Sequence, residues 1–236
     1  MMVDADKPGA ALADDMLGFG GREFVTVKQL VLRPAGVLQA WMEQGAEGGG
    51  AYARPLRLYL ALNAFLMLVL FLRGGAGYML EGLPPDMMGA LQERSGKSTD
   101  AFAADADGWM TLVMVPLLSL FYALAAAPLL RLWDQEDLGW RRGFRAAFAW
   151  LCAWTVLILP LTWWAYGKSP LAALISLVVI LLGVIAFLRM GRGRWFRTTL
   201  AGIGKAILLM LAVQISGLIG GALVVAIGLL GASAMP

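Results

Sequence analysis

Five long runs of apolar residues without a single charged side chain constrain this chain more than any other feature. They cover about residues 58–72, 109–130, 146–167, 169–188 and 206–236. Backbone groups in lipid must bond one another, so only helices or a closed barrel can span a membrane. Barrel strands are shorter, roughly ten residues, and alternate in polarity. The sequence therefore predicts an all-α, polytopic membrane helix bundle with five transmembrane helices, at about 56–73, 109–130, 146–167, 169–188 and 206–232.

The last run is the least certain of the five to interpret. Residues 206–236 are more than one crossing requires, but fewer than the roughly 40 residues plus a turn that two crossings need. The run is predicted to be one long or tilted helix with a tail, or one crossing followed by an irregular segment. The count of five spans depends on treating it as a single crossing.

Basic residues are distributed unevenly between the runs. Of the 19 Lys and Arg residues, 15 lie before the first span, between spans two and three, or between spans four and five. Such residues concentrate on the cytoplasmic side of membrane proteins. We therefore expect a bacterial inner-membrane protein with a cytoplasmic N-terminus and a periplasmic C-terminus. The net charge of +3 then reflects contact with anionic lipid, and no nucleic-acid partner is expected.

The segment before the first span, residues 1–54, is predicted to be a cytoplasmic arm, and 55–236 the membrane domain with an outer loop at 74–108. Apolar residues recur every three or four positions over 22–46, which indicates an amphipathic helix in the membrane interface. Arg33, Pro34 and Trp41 are its candidate anchors, with a restart or kink at Pro34 and Trp41 at headgroup depth. The helix either recruits a partner or only positions the first span, and we favour the second interpretation.

Residues 25–72 resemble a bacterial inner-membrane family of unknown function. The shared positions are Arg33, Pro34, Gly36, Tyr52, Pro55, Leu58 and Tyr59. That family usually carries an N-terminal zinc ribbon before its membrane helices. The ribbon is absent here, because no cysteine precedes Cys152. The layout is also similar to that of the Yip-type five-span proteins. The resemblance implies an architecture and no established activity.

Uncharged polar residues near mid-span form the first candidate site. Such groups either hydrogen-bond between helices or line a polar path, and we favour the first interpretation. No Asp, Glu, Lys or Arg lies deep in a run, which argues against a proton pump or a voltage sensor. The candidate residues of the path are Asn63, Tyr122, Thr155 and Gln214.

Glycines of the last run form the second candidate site. Gly217 and Gly221 stand in GxxxG register, and Gly220 and Gly228 lie nearby. This small-residue face either packs inside the bundle or binds another subunit, and the length of the run favours a partner. Trp150 and Trp154 share a face of the third span, where we expect packing against lipid.

Nothing in the sequence indicates catalysis. The chain has no histidine, and its single cysteine is Cys152. We predict no catalytic residue, no cofactor and no metal site. The favoured function is an accessory or scaffold subunit of a membrane assembly. The alternative is a carrier or scramblase of lipid or another apolar small molecule, and a membrane enzyme is the third hypothesis. The expected partners are membrane lipids and either a membrane protein or a second copy of the chain.

Overall fold

The computed structural model describes residues 20–44, 51–136, 139–165 and 170–234. Parts of the predicted arm, 1–19 and 45–50, lie outside this range. So do the last residues predicted for the third span and the first residue predicted for the fourth. Within the described residues the chain is helical, and no strand is formed.

The helices follow one another through short connections. Their bounds are α1 Gly21–Leu32, α2 Pro34–Gln44, α3 Pro55–Leu72, a 3-10 helix Gly77–Gly82, α4 Pro85–Ser95, α5 Thr99–Trp133, α6 Trp140–Ile158, α7 Pro170–Gly191 and α8 Thr199–Ala234. Helix α6 continues through a 3-10 turn, Leu159–Leu161, and a last α-turn, Thr162–Ala165. Five of these helices, α3, α5, extended α6, α7 and α8, are long and apolar enough to cross a membrane. The predicted all-α bundle of five spans is confirmed.

Helices α5 and α8 are both longer than the sequence analysis predicted. They have 35 and 36 residues, or about 52 and 54 Å at 1.5 Å per residue, against roughly 30 Å of hydrocarbon. The last run is thus a single helix. The predicted outer loop 74–108 is wrong for residues 99–108, which are the first turns of α5. Phe102 and Ala106 are buried there against Leu229 and Ala232 of α8. This pairing stabilises a helix whose Ala- and Asp-rich composition resembles a loop.

Helix α6 lies at the centre of the bundle. Of its most apolar 18 residues, 61% are buried within the protein, compared with 28% for α5, α7 and α8. It contacts α3, α5 and α7, while α8 packs mainly along α5. Small side chains allow this close approach. The fully or almost fully buried ones are Ala146, Ala147, Ala149, Cys152 and Ala153.

Helices α1 and α2 pack beneath one end of the bundle, against α6 and α7. We call this the α1–α2 end, and the opposite end the α4 end. Trp41 is fully buried, and its indole Nε1–H donates to the carbonyl of Ala53 at 2.8 Å. Trp41 is therefore covered by protein rather than by lipid headgroups, and its depth in the membrane stays a prediction. The exposed apolar side chains of this region belong to α1 and are Phe24, Val25, Val31 and Leu32.

The two N-terminal helices hold the residue that precedes the first span from both sides. The Thr26 hydroxyl accepts the N–H of Ala53 at 2.8 Å, while Trp41 donates to the Ala53 carbonyl. The buried Glu23 pairs with Arg57 on the first turn of α3 at 3.1 Å. These contacts agree with the interpretation that the arm positions the first span.

The predicted restart of the helix at Pro34 is confirmed. Helix α1 ends at Leu32, exposed Arg33 lies between the helices in a non-helical conformation, and buried Pro34 begins α2. Proline suits a first helical turn because it has no N–H to leave unpaired. Arg189 of α7 donates to the carbonyl of Val31 at 2.6 Å and so caps the carboxyl end of α1.

Candidate functional site

A cavity lies within the bundle, between the middle of α3, the middle of α5 and the second half of α6. Its volume is about 190 Å³. Its lining residues are Tyr59, Asn63, Leu66, Met114, Val115, Leu118, Ser119, Tyr122, Leu151, Trp154, Thr155, Ile158, Thr162, Ala165 and Val179. The walls are mainly apolar, with a few polar groups converging from three helices.

Three of the four residues predicted for a polar path line this cavity. Asn63, Tyr122 and Thr155 come from α3, α5 and α6. The fourth, Gln214, does not belong with them. It is half-buried on α8, and α8 contributes no lining residue. Depth in the membrane can be estimated from a sequence, but the direction in which a helix faces depends on its neighbours.

Tyr59 was not among the predicted path residues. Its hydroxyl is buried and donates to the backbone carbonyl of Ser119 at 3.2 Å. A signal was available, because Tyr59 precedes Asn63 by four residues and must share its helix face. Thr162 also lines the cavity, and its hydroxyl donates to the carbonyl of Leu159 at 2.7 Å.

Asn63 differs from these satisfied hydroxyls. The residue is only 8% exposed, and its amide Nδ2 makes no hydrogen bond of normal geometry among the described residues, although its side chain lies near the Tyr59 hydroxyl. An unsatisfied buried donor costs about 1–3 kcal/mol, so such groups are rare in folded proteins. Asn63 thus brings an unsatisfied donor to the lining of the cavity, and a rotation of its side chain would offer the amide to a bound molecule or to water.

The electrostatics of the cavity are polar and uncharged. None of the described residues that line it is Asp, Glu, Lys or Arg. Tyr78, in the 3-10 helix, packs against the cluster that contains Met114 and Val115. Burial raises the pKa of the Tyr78 hydroxyl, so this group also stays neutral. The cavity thus suits a neutral acceptor such as an ester or amide carbonyl rather than an ion.

Trp154 lines the cavity, and its indole stacks on that of Trp150. The rings of Trp150 and Trp154 are 5.3 Å apart, and both side chains are buried. Trp154 donates to the carbonyl of Val179 at 2.8 Å, and Trp150 to that of Gly183 at 3.3 Å. The expectation that this pair packs against lipid is wrong. Indole N–H groups need partners when buried, and the carbonyls of α7 supply them.

Three of the four glycines predicted to form a face on α8 pack closely against α5 of the same chain. A Cβ at Gly217 would lie 3.0 Å from the ring of Tyr122, and one at Gly220 would lie 2.9 Å from Leu118. A Cβ at Gly228 would overlap Met110 and approach the carbonyl of Ala106 to 3.0 Å.

Helix α5 of the same chain therefore occupies most of this face, and the interpretation as a partner surface is wrong for Gly217, Gly220 and Gly228. Gly221 makes only an ordinary contact with Met79, at 3.8 Å. By allowing α8 to approach Tyr122, Gly217 also helps to place that ring at the cavity.

The side chains that line the cavity are suited to binding a molecule rather than to catalysing a reaction. The buried thiol of Cys152 donates to the carbonyl of Pro55 at 3.5 Å and does not line the cavity. Within the described part of the chain, no three His, Cys, Asp or Glu residues lie close enough together to hold a metal ion. The cavity itself offers hydroxyls, an amide and aromatic rings, which are groups that bind and orient.

Comparison with known proteins gave no match to a family model, to a curated protein or to a solved structure. The resemblance of residues 25–72 to the zinc-ribbon membrane family therefore stays a prediction.

Proposed function

We propose that this protein is a membrane carrier for a lipid or another apolar small molecule, which it admits to the cavity between α3, α5 and α6. The observation that supports this proposal is a cavity inside a membrane-spanning bundle that is lined by Asn63, a residue whose amide has no hydrogen-bond partner among the described residues. Phospholipid esters and amides carry the acceptor that this donor lacks. A bound carbonyl would remove the penalty of an unpaired group, about 1–3 kcal/mol.

The size of the cavity limits what it can hold at one time. Pockets for whole drug-sized ligands are roughly 300–1,000 Å³, and this cavity is about 190 Å³. A volume of this order accommodates a ring or a short section of an acyl chain with its ester group. Passage of a whole lipid would therefore require the helices around the cavity to separate.

The seam between α3 and α6 is the natural place for that separation. The rings of Tyr59 and Phe148 meet across it with centroids 5.4 Å apart. Tyr59 lines the cavity, whereas Phe148 lines a groove that opens outside the bundle. An aromatic pair thus separates the interior from the surface. The proposal assigns this pair the role of a gate.

Lipid movement across reconstituted vesicles tests the proposal. Vesicles of phosphatidylcholine with a fluorescent phosphatidylcholine would report transfer between leaflets, with and without the protein. We expect the protein to accelerate transfer and Asn63→Leu to slow it about ten-fold, because one hydrogen bond of about 1.4 kcal/mol is lost. Gln214→Leu is the matched control, since it removes an amide at similar depth outside the cavity.

Two results would contradict the carrier proposal. One is wild-type protein, folded and correctly inserted, that transfers neither the phosphatidylcholine probe nor a neutral apolar dye. The other is an equal loss of transfer in Asn63→Leu and Gln214→Leu, because lipid transfer would then not depend on the cavity residue in particular.

An accessory or scaffold role is the second candidate. Its supporting observation is now the exposed apolar row on α8, which includes Leu211, Ile215 and Leu218, the last of them 76% exposed. Lipid can cover this row as well as a partner can. Leu218→Trp changes the row without touching the α5–α8 contact. Purification in mild detergent at native expression levels would show whether a stoichiometric partner is present and is lost in this variant.

A further inference from the structure

A groove outside the cavity combines strong positive charge with an apolar floor. It lies between the first turns of α3 and α6, at the α1–α2 end, and has a volume of about 630 Å³. Its lining residues are Arg54, Pro55, Leu56, Arg57, Leu60, Arg141, Phe144, Arg145 and Phe148. Among the described residues, four arginines and no carboxylate line the groove.

Two of the groove arginines are held in place by the N-terminal helices. Arg57 pairs with Glu23 at 3.1 Å, and Arg145 donates to the carbonyl of Trp41 at 3.2 Å, which keeps both guanidinium groups at the groove. Guanidinium groups bind phosphate through paired N–H donors.

The rest of the groove is apolar and open to the side. Leu56 and Leu60 are 49% and 59% exposed, although they lie within a helix that can cross a membrane. On α6, Phe144 and Phe148 follow one turn apart, and their ring centroids are separated by 6.3 Å. The arginines lie at the end of the span, where a phospholipid headgroup would be. The apolar side chains follow along the span, where its acyl chain would be.

We propose that this groove binds one anionic phospholipid, with its phosphate among the four arginines and an acyl chain along Leu56, Leu60, Phe144 and Phe148. The charge complementarity selects an anionic headgroup over a zwitterionic one. The inference does not rest on the proposed function, since a lipid can bind here whether or not the protein carries one. The chain would end at Phe148, which contacts Tyr59 at the wall of the cavity.

Native mass spectrometry of the full-length protein in mild detergent tests this site. The protein is titrated with dioleoyl phosphatidylglycerol and, separately, with dioleoyl phosphatidylcholine. We expect tighter binding of the first phosphatidylglycerol, and about five-fold weaker binding of it in Arg141→Gln, the ratio that one arginine contributes beside an anionic lipid. Arg141 is exposed and is the variant least expected to disturb the fold. Arg141→Lys should retain part of the affinity.

Arg197→Gln is the matched control, because Arg197 is exposed, lies at the same end of the bundle and does not line the groove. Its first bound phosphatidylglycerol should keep the wild-type affinity. Equal binding of both lipids by the wild type would overturn the proposal. So would equal weakening in Arg141→Gln and Arg197→Gln, which would indicate diffuse surface charge. A co-purifying acidic protein that is lost in Arg141→Gln, without any lipid preference, would overturn it as well.

Discussion

Helices α6 and α7 differ in opposite directions in mean hydropathy and in the fraction of residues that the protein buries. Helix α7 has the highest mean hydropathy of the five spanning helices, yet only 28% of its most apolar residues are buried by protein. Helix α6 has the lowest mean hydropathy, and 61% of its most apolar residues are buried by protein. In a water-soluble protein the most apolar helix would be expected at the centre. Here the most apolar helix faces outward, and the helix richest in indoles is central.

The difference follows from the solvent that each helix displaces. Lipid chains are as apolar as leucine, so burying a leucine against protein gains little inside a membrane. Close packing and satisfied hydrogen bonds are gained instead. Helix α6 provides both, through buried alanines and through Trp150 and Trp154, which donate to carbonyls of α7. Helix α7 supplies those carbonyls and presents leucines such as Leu177 outward.

The largest expected effect comes from removing an indole of α6. Trp150→Ala should destabilise the protein by about 3–5 kcal/mol, because it opens a cavity in the most closely packed part of the bundle. Reversible unfolding in mixed micelles would measure this loss. Trp164→Ala is the control, since Trp164 is 50% exposed and should cost much less. Equal losses would refute the central role of α6.

A smaller effect is expected from the glycines of α8. Gly228→Ala should cost about 1–3 kcal/mol, since the added carbon overlaps Met110 and lies 3.0 Å from the carbonyl of Ala106. Gly204→Ala meets nothing within 4 Å and should stabilise the helix by about 0.5–1 kcal/mol. If Gly228→Ala lowers and Gly204→Ala raises the free energy of unfolding in the same assay, the close contact between α8 and α5 lies at Gly228. Two losses of similar size would contradict it.

The smallest effect tests a single hydrogen bond between the two helices. Trp154→Phe keeps an aromatic ring and removes the donor to Val179, so it should cost about 1 kcal/mol. Trp195→Phe is the comparison. The indole N–H of Trp195 is buried without a partner among the described residues, so losing it should cost less. A larger loss in Trp195→Phe would show that ring volume, not bonding, determines the energy.

Some of the candidate site was predictable from the sequence. Asn63, Tyr122 and Thr155 were selected as polar residues near mid-span, and they meet at one cavity. Gln214 satisfied the same criterion and lies elsewhere, because polarity and depth do not specify the direction in which a helix faces. The arginine groove was not predicted. Its residues come from two helices that are distant in sequence, so no local pattern connects Arg57 with Arg141.

The inner packing of Trp41 and of the α8 glycines illustrates the same limit. A tryptophan beside a span is compatible with a lipid interface, and a GxxxG pattern is compatible with a partner helix. In both cases this chain provides the neighbour itself: the Ala53 carbonyl accepts from Trp41, and the ring of Tyr122 lies against Gly217. A pattern indicates that a close contact is formed, but not with which surface.

The sequence by itself determined that the chain forms a bundle of five membrane-length helices. Uncharged runs of that length leave the backbone no other way to satisfy its hydrogen bonds in lipid. The tertiary structure alone decided which helix is central, which glycines are covered and which polar groups share a cavity. In a membrane these choices depend on shape and on specific hydrogen bonds rather than on apolar content, and both arise only when distant helices meet.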